Sequence, residues 1–283
     1  MRTFAGIENE YAEFFDSAIL LQPIPYDGTS TWGKGADKGY QCFLEASENM
    51  ELYDIETDTE VYQLGIHILP EIMENSSPER VFSSVRKRVS ELLNLDKFLT
   101  FFGGEHSVSI GIIEAFRDKY RDLTVLQLDA HTDLRPEYLG SAFNHACAMH
   151  KACLNTNLIQ VGIRSMDVSE KQYIRADHCF LARDIFNSNH WFDQAVELMT
   201  EKVYISIDLD VFDPSVMPAT GTPEPGGLSW YQVIRFLKYV FEKRDVVGFD
   251  IVEFSPIENL RHPQFLVAKL YYKLLSYKFK NYG

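Results

Sequence analysis

Asp129-Ala-His131-Thr-Asp133 sets three metal-competent side chains at alternate positions, directly after the apolar run Leu123-Thr-Val-Leu-Gln-Leu128. A strand alternates its faces with a period of two, so the three are expected to project to one side as the strand ends. Val203-Tyr-Ile-Ser-Ile207 leads in the same way into Asp208-Leu-Asp210, and Phe98-Leu-Thr-Phe-Phe102 leads into Gly103-Gly-Glu-His106. The candidate ligands are therefore His106, Asp129, His131, Asp133, Asp208 and Asp210. A lone Asp-x-Asp at a strand end is usually a turn or a helix cap. Three such segments, each closing an apolar run that reads as a parallel strand, point instead to one metal site, because open α/β sheets bind their ligands at the carboxyl edge.

The ligand types select the metal. Four carboxylates and two imidazoles, with no thiolate, suit a fairly hard divalent ion such as manganese better than a structural zinc. Four negative charges are too many to bury around one divalent cation and are balanced by two. A two-metal site with bridging carboxylates lowers the pKa of a held water from 15.7 towards about 7, which implies metal-assisted hydrolysis.

Alternating strands and helices must carry these residues. Beta runs at 98–102, 123–128, 157–163, 203–207 and 246–252 are separated by helical patterns, the signature of parallel βαβ units in an α/β fold. Ser77-Pro78-Glu79 is a helix start, followed by Val81, Val85, Val89 and Leu92 on one face. Ser229 and Gln232 form a capping box ahead of the stripe Val233, Phe236, Leu237, Val240 and Phe241. Gln264 to Phe279 reads as a final helix whose aromatics belong to the core or a subunit contact. Met217 to Gly227 holds three prolines and three glycines, which exclude helix and strand. Tyr26 to Gly35 is glycine-spaced but follows neither a P-loop nor a dinucleotide pattern. His67, His150, His178, His190 and His262 have no partner spacing and read as structural.

Composition narrows the class. The chain has 283 residues, 46% of them hydrophobic, enough for one large core, and neither linker nor repeat interrupts residues 1–283, which read as a single domain. A formal net charge of −14 argues against nucleic acid and anionic membranes as partners. Cys42, Cys147, Cys153 and Cys179 contain no C-x-x-C pair and read as free thiols of a reducing cytoplasm. The start Met1-Arg-Thr-Phe-Ala-Gly-Ile-Glu has no sustained apolar region, and no run approaches the roughly 18 residues of a membrane span. A cytoplasmic protein is expected.

At Gly103-Gly-Glu-His106-Ser, Asp129-Ala-His-Thr-Asp133 and Ser206-Ile-Asp208-Leu-Asp210 the chain resembles the ureohydrolases, the family of arginase and agmatinase. The likeness continues through Pro214, Pro218, Ala219 and Gly227, and extends to Tyr26-Asp-Gly-Thr29 and Asp250-Ile-Val-Glu253, so it covers most of the chain in order. It implies a three-layer α/β/α sandwich around a parallel, eight-stranded sheet, assembled as a homotrimer or homohexamer. It also implies two Mn2+ ions per subunit, one held by His106, Asp129, Asp133 and Asp208 and the other by Asp129, His131, Asp208 and Asp210. His145 matches the family's proton shuttle and Glu253 its guanidinium-binding carboxylate. By itself His145 reads as an ordinary histidine, yet a leaving amine needs a proton, and histidine titrates in the range to supply one. A guanidinium beside two divalent cations needs a compensating carboxylate, and Glu253 follows the run Val246 to Val252.

Leu134-Arg135, Glu137-Tyr138, His145-Ala-Cys147 and Leu44-Glu-Ala-Ser47 resemble the agmatinase pattern rather than the arginase one, while Lys34-Gly-Ala-Asp-Lys-Gly39 departs from the family's Arg/Gly/Pro-rich segment. The resemblance therefore implies a small cationic guanidino substrate, agmatine, hydrolysed to putrescine and urea by a metal-bridging hydroxide. The alternatives are a sister ureohydrolase acting on guanidinobutyrate, formiminoglutamate, guanidine or arginine, a single-metal amidohydrolase like the histone deacetylases, and a non-catalytic metal-binding or scaffold protein. A substrate panel separates the first, metal stoichiometry the second, and a broken ligand set would mark the third.

Overall fold

The structure, a computed structural model, describes residues 2–281. Strands β1 (Ile19–Ile24), β2 (Ile66–Ile68), β3 (Phe98–Gly103), β4 (Leu123–Leu128), β5 (Asn157–Ile163), β6 (Cys179–Leu181), β7 (Lys202–Asp208) and β8 (Asp245–Val252) form one sheet in the order β2-β1-β3-β8-β7-β4-β5-β6. Every pairing is parallel. All five expected strands are present. β2 and β6 are three-residue edge strands and β1 contains Gln22 and Pro23, which is why no apolar run announces them.

Helices cover both faces, as a parallel sheet requires. One face carries α2 (Pro78–Leu92), α3 (Val108–Lys119) and α4 (His150–Asn155); their Val85, Ile112, Phe116 and Ala152 pack on Leu99, Phe101, Val125 and Tyr204. The other carries α1 (Gly39–Ser47), α6 (Trp191–Glu197), α7 (Trp230–Lys243) and α8 (His262–Lys278), whose Phe43, Trp191, Phe236 and Tyr271 pack on Phe98, Phe102, Val203, Ile205 and Phe249. The short α5 (Ala182–Ile185) follows β6. The period of two is visible in the packing, since Phe98 and Phe102 enter one layer while Leu99 and Phe101 enter the other. This is the expected α/β/α sandwich.

The caps read from sequence hold. Ser77 accepts from Arg80 N–H with Pro78 in the first turn of α2, and Ser229 and Gln232 close a reciprocal capping box on α7. The last helix begins at His262, two residues before the expected Gln264, because Pro263 fits its first turn. Its Tyr271 and Tyr272 are fully buried, so these aromatics are core. Among the described residues no helix is long and apolar enough to cross a membrane.

Candidate metal centre and cavity

Four adjacent strands, β3-β8-β7-β4, present their carboxyl ends to one place. β3 and β4 are three strand positions apart, roughly 14 Å at the usual spacing. His106 and Asp129 can meet only because the chain after each strand turns inward over β7 and β8. Gly104 makes the first turn possible: a Cβ there would stand 1.8 Å from the Tyr26 carbonyl oxygen. The close approach lets Glu105 N–H donate to Tyr26 O and Glu253 N–H donate to Gly104 O, both at 2.8 Å.

The pleat does not carry Asp129, His131 and Asp133 to one side as expected. β4 stops at Leu128, and the following residues coil, with Asp133 at a φ of 52°. Glu253 also sits in the left-handed region, at a φ of 64°. Such backbone costs a non-glycine residue on the order of 1–3 kcal/mol and is held by its surroundings. It aims both carboxylates back over the sheet edge.

All six side chains meet. His106 Nδ1 stands 3.1 Å from Asp129 Oδ2, 3.0 Å from Asp133 Oδ2 and 3.3 Å from Asp208 Oδ2. His131 Nδ1 stands 2.8 Å from Asp210 Oδ2 and 3.6 Å from Asp129 Oδ1. Two donor groups capable of holding an ion result, His106/Asp129/Asp208 and Asp129/His131/Asp210, with Asp129 common to both.

The surroundings settle the role of His106 Nε2. Ser206 Oγ donates to Asp250 Oδ1 at 2.7 Å, so it accepts from His106 Nε2–H at 3.0 Å. Nδ1 lies buried among three carboxylate oxygens with no well-formed hydrogen bond. Burial opposes a charge on the ring, but Asp129, Asp133 and Asp208 outweigh it and raise the imidazole well above its usual range. In the neutral ring Nδ1 is the nitrogen that offers the lone pair. Four electron-pair donors aimed at one point are stable around a cation and repulsive otherwise, so the donor set fits a divalent ion. The charges agree. Burial and Asp129 push Asp133 up to about 7, and burial, Asp210 and Asp129 raise Asp208 well above the usual carboxylate range. For His131, burial opposes the charge, but Asp210 and Asp129 outweigh it and lift the imidazole to about 12. Two divalent cations would supply the positive charge that these shifts call for.

A cavity of about 240 Å³ opens over the cluster, lined by His131, Asp133, Asp208, His145 and Glu253 together with Arg135, Tyr138 and Asp167. His145 opens a short 3-10 turn capped by Asn144 Oδ1, and burial pushes its imidazole down to about 4. Glu253 Oε1 accepts from His106 N–H at 2.8 Å; burial and the neighbouring Glu105 raise its pKa well above the usual range. The other histidines stand apart from the cluster: His67 and His150 each contact a backbone carbonyl, at 2.6 and 2.8 Å.

Sequence reasoning passed over the residues behind the ligands. Gln127 donates to Asp129 Oδ2 at 2.7 Å and is itself held by Gln160. Asp250 receives Tyr204 Oη at 2.6 Å as well as Ser206. A signal existed: Gln127 and Ser206 are polar interruptions of apolar strands, two residues before Asp129 and Asp208 and hence on the same face.

Comparison with known proteins agrees with this geometry. The model of the arginase family matches residues 17–276. The N(1)-aminopropylagmatine ureohydrolase of Synechocystis sp. is 35% identical over 275 residues, covering 93% of this chain and 90% of the relative. The agmatinase of Pyrococcus horikoshii is 30% identical over 270 residues, covering 92% of each chain. The crystal structure of the agmatine ureohydrolase of Thermoplasma volcanium superposes with a TM-score of 0.84 at 30% identity, covering 94% of this chain and 92% of that one. With the match running through all eight strands, and with the donor cluster at the same sheet edge that the motifs pointed to, this chain belongs to the arginase family of ureohydrolases.

Proposed function

We propose that the chain hydrolyses the guanidinium group of agmatine to urea and putrescine, with two Mn2+ ions bound by His106, Asp129, Asp133, Asp208, His131 and Asp210. The observation that carries this reading is the orphaned His106 Nδ1 facing three carboxylates beneath a cavity that also holds Glu253 and His145. When bound, the metal ions supply Lewis acidity and bring the pKa of a water towards about 7. Glu253 binds the substrate's guanidinium: one of its oxygens is anchored by the His106 N–H, and the other is left for the ligand. His145 is neutral at neutral pH, so it accepts the proton released as water adds to the guanidinium carbon. It then delivers that proton to the alkylamine nitrogen as the C–N bond breaks.

At the mouth, Asp167 would meet the substrate's ammonium. Its Oδ1 caps the following turn and its Oδ2 lies 3.7 Å from Arg135, which stacks on Tyr138. A second reading, N(1)-aminopropylagmatine, is favoured by the name of the Synechocystis relative. It presents the same guanidinium and adds a further amine beyond the mouth. Residues 1–283 are proposed to act as one ureohydrolase domain, assembled as a trimer or hexamer.

Urea release by manganese-loaded protein, measured across agmatine, N(1)-aminopropylagmatine, arginine, guanidinobutyrate and guanidine, tests the proposal. Agmatine or its aminopropyl derivative should lead, with arginine about 10³-fold or more behind in kcat/KM because its carboxylate is desolvated beside Asp167 while Arg135 is already engaged by Asp167 and Tyr138. Glu253→Gln should raise KM and lower kcat together while keeping the metals. Faster cleavage of arginine, guanidinobutyrate or guanidine would overturn the substrate assignment.

A further inference from the structure

Thr29 ties the proposed proton carrier to a buried carboxylate outside the metal cluster. Its hydroxyl donates to Glu105 Oε1 at 2.8 Å, accepts the backbone N–H of His145 at 2.9 Å, and stands 3.2 Å from His145 Nδ1. Glu105 is wholly buried. Its Oε1 also accepts from Thr29 N–H at 3.2 Å and Ser107 Oγ at 2.9 Å, and its Oε2 accepts from Ser107 N–H at 2.8 Å. Backbone N–H groups can only donate, so both oxygens of Glu105 act as acceptors, and Thr29 spends its single proton on Oε1. A hydroxyl with its proton committed can only accept from a third neighbour. The Nδ1 facing it therefore carries hydrogen, and Nε2 keeps the lone pair.

We infer that Glu105 and Thr29 form a hydrogen-bonded relay that sets the orientation and tautomer of His145, with Thr29 as a positioning residue for proton transfer. The inference rests on the proton-carrying role proposed for His145. The relay defines which nitrogen can take a proton from the cavity, since the hydrogen bond at one ring nitrogen decides the state of the other. It also gives the Tyr26–Gly35 stretch a task, because the backbone bonds around Gly104 hold that stretch against the strand ends. Tyr138, edge-on to the His145 ring with centroids 6.2 Å apart, limits rotation from the other side.

The test is a double-mutant cycle on manganese-loaded full-length protein, with agmatine as substrate and urea release, KM and bound metal all measured. Thr29→Val removes the hydroxyl and keeps the branched shape; Thr29→Ser keeps the hydroxyl. Thr29→Val should lower kcat roughly 10- to 100-fold with KM and metal content unchanged, and should shift the pH profile of kcat. Thr29→Ser should stay within about threefold of the parent, and in a His145→Ala background Thr29→Val should cost nothing further. Should Thr29→Val fail to fold, Thr29→Ala carries the same expectation. Unchanged kcat in Thr29→Val overturns the relay. So does a loss equally large in the His145→Ala background, a loss confined to KM or metal content, or an equal loss in Thr29→Ser. Normal turnover in His145→Ala alone strikes the proton-carrying role instead, which separates the two failures.

Discussion

Asp129 gives one oxygen to each histidine of the cluster, Oδ2 at 3.1 Å from His106 Nδ1 and Oδ1 at 3.6 Å from His131 Nδ1. It is fully buried, and Gln127 together with the His131 backbone N–H holds its plane. An amide in that position would keep one acceptor and turn an N–H₂ group towards a histidine lone pair. Asp129→Asn is therefore expected to lose both ions. His106→Ala should preferentially empty one site, because His131, Asp129 and Asp210 remain together. Metal analysis of the purified variants decides this, and a parent protein fully active with one tightly bound ion per chain would contradict the two-ion assignment. At this scale the sequence was readable, since every ligand candidate stands in a short motif whose residue types admit few other uses in combination.

The elements bring these motifs together through backbone that tolerates no side chain. Gly104 is the sharpest case, with a hypothetical Cβ 1.8 Å from Tyr26 O and the neighbouring backbone fastened by Gly104 N–H to Ile24 O and Glu105 N–H to Tyr26 O. Gly104→Ala must separate the two segments, and overpacking of this kind costs about 1–3 kcal/mol. We expect a lower Tm and at least a 10²-fold loss of turnover, because His106 on one side and Thr29 on the other both shift. A variant with parental Tm and turnover would show that the close approach is not needed. The expected alternation of Asp129, His131 and Asp133 failed here because a strand's pleat ends with its hydrogen bonds. Past Leu128 the left-handed Asp133 does what the pleat was expected to do. No composition signal marks that φ, since aspartate visits the region only occasionally.

Across the whole molecule, the segment between α1 and β2 is clamped to α8 by an ion cluster outside the cavity lining. Buried Lys273 Nζ lies 3.0 Å from Asp54 Oδ2 and also binds Glu56, which Lys238 and Tyr277 contact from outside. Burial works against the Glu56 charge, but Lys273, Lys238 and Tyr277 outweigh it and hold the carboxyl down to about 2. A carboxylate depressed on folding contributes stability above its unfolded value near 4.3 and loses it as pH falls through the folded one. The parent should therefore lose Tm between about pH 4.5 and 2 by this route. Lys273→Met should be destabilised by about 3–5 kcal/mol at pH 7, because it leaves Asp54 buried without its partner. Its Tm should then fall less steeply across the acid window. Parallel curves for the two proteins would remove the clamp from the acid response.

The ligand motifs, the alternation of strand and helix, the helix caps and the acidic composition follow from the chain alone, because each is a local pattern of residue type and spacing. The strand order does not. β8 and β7 insert between β3 and β4, so some of the residues that meet are separated by 100 positions and more, as in His106 with Asp208 and with Glu253. Local periodicity carries no information about which strands lie side by side; that is decided by how the two apolar layers pack against the sheet. The tautomer of His106 belongs to the same class, since it depends on Ser206 from β7 and Asp250 from β8 lying next to a turn that follows β3.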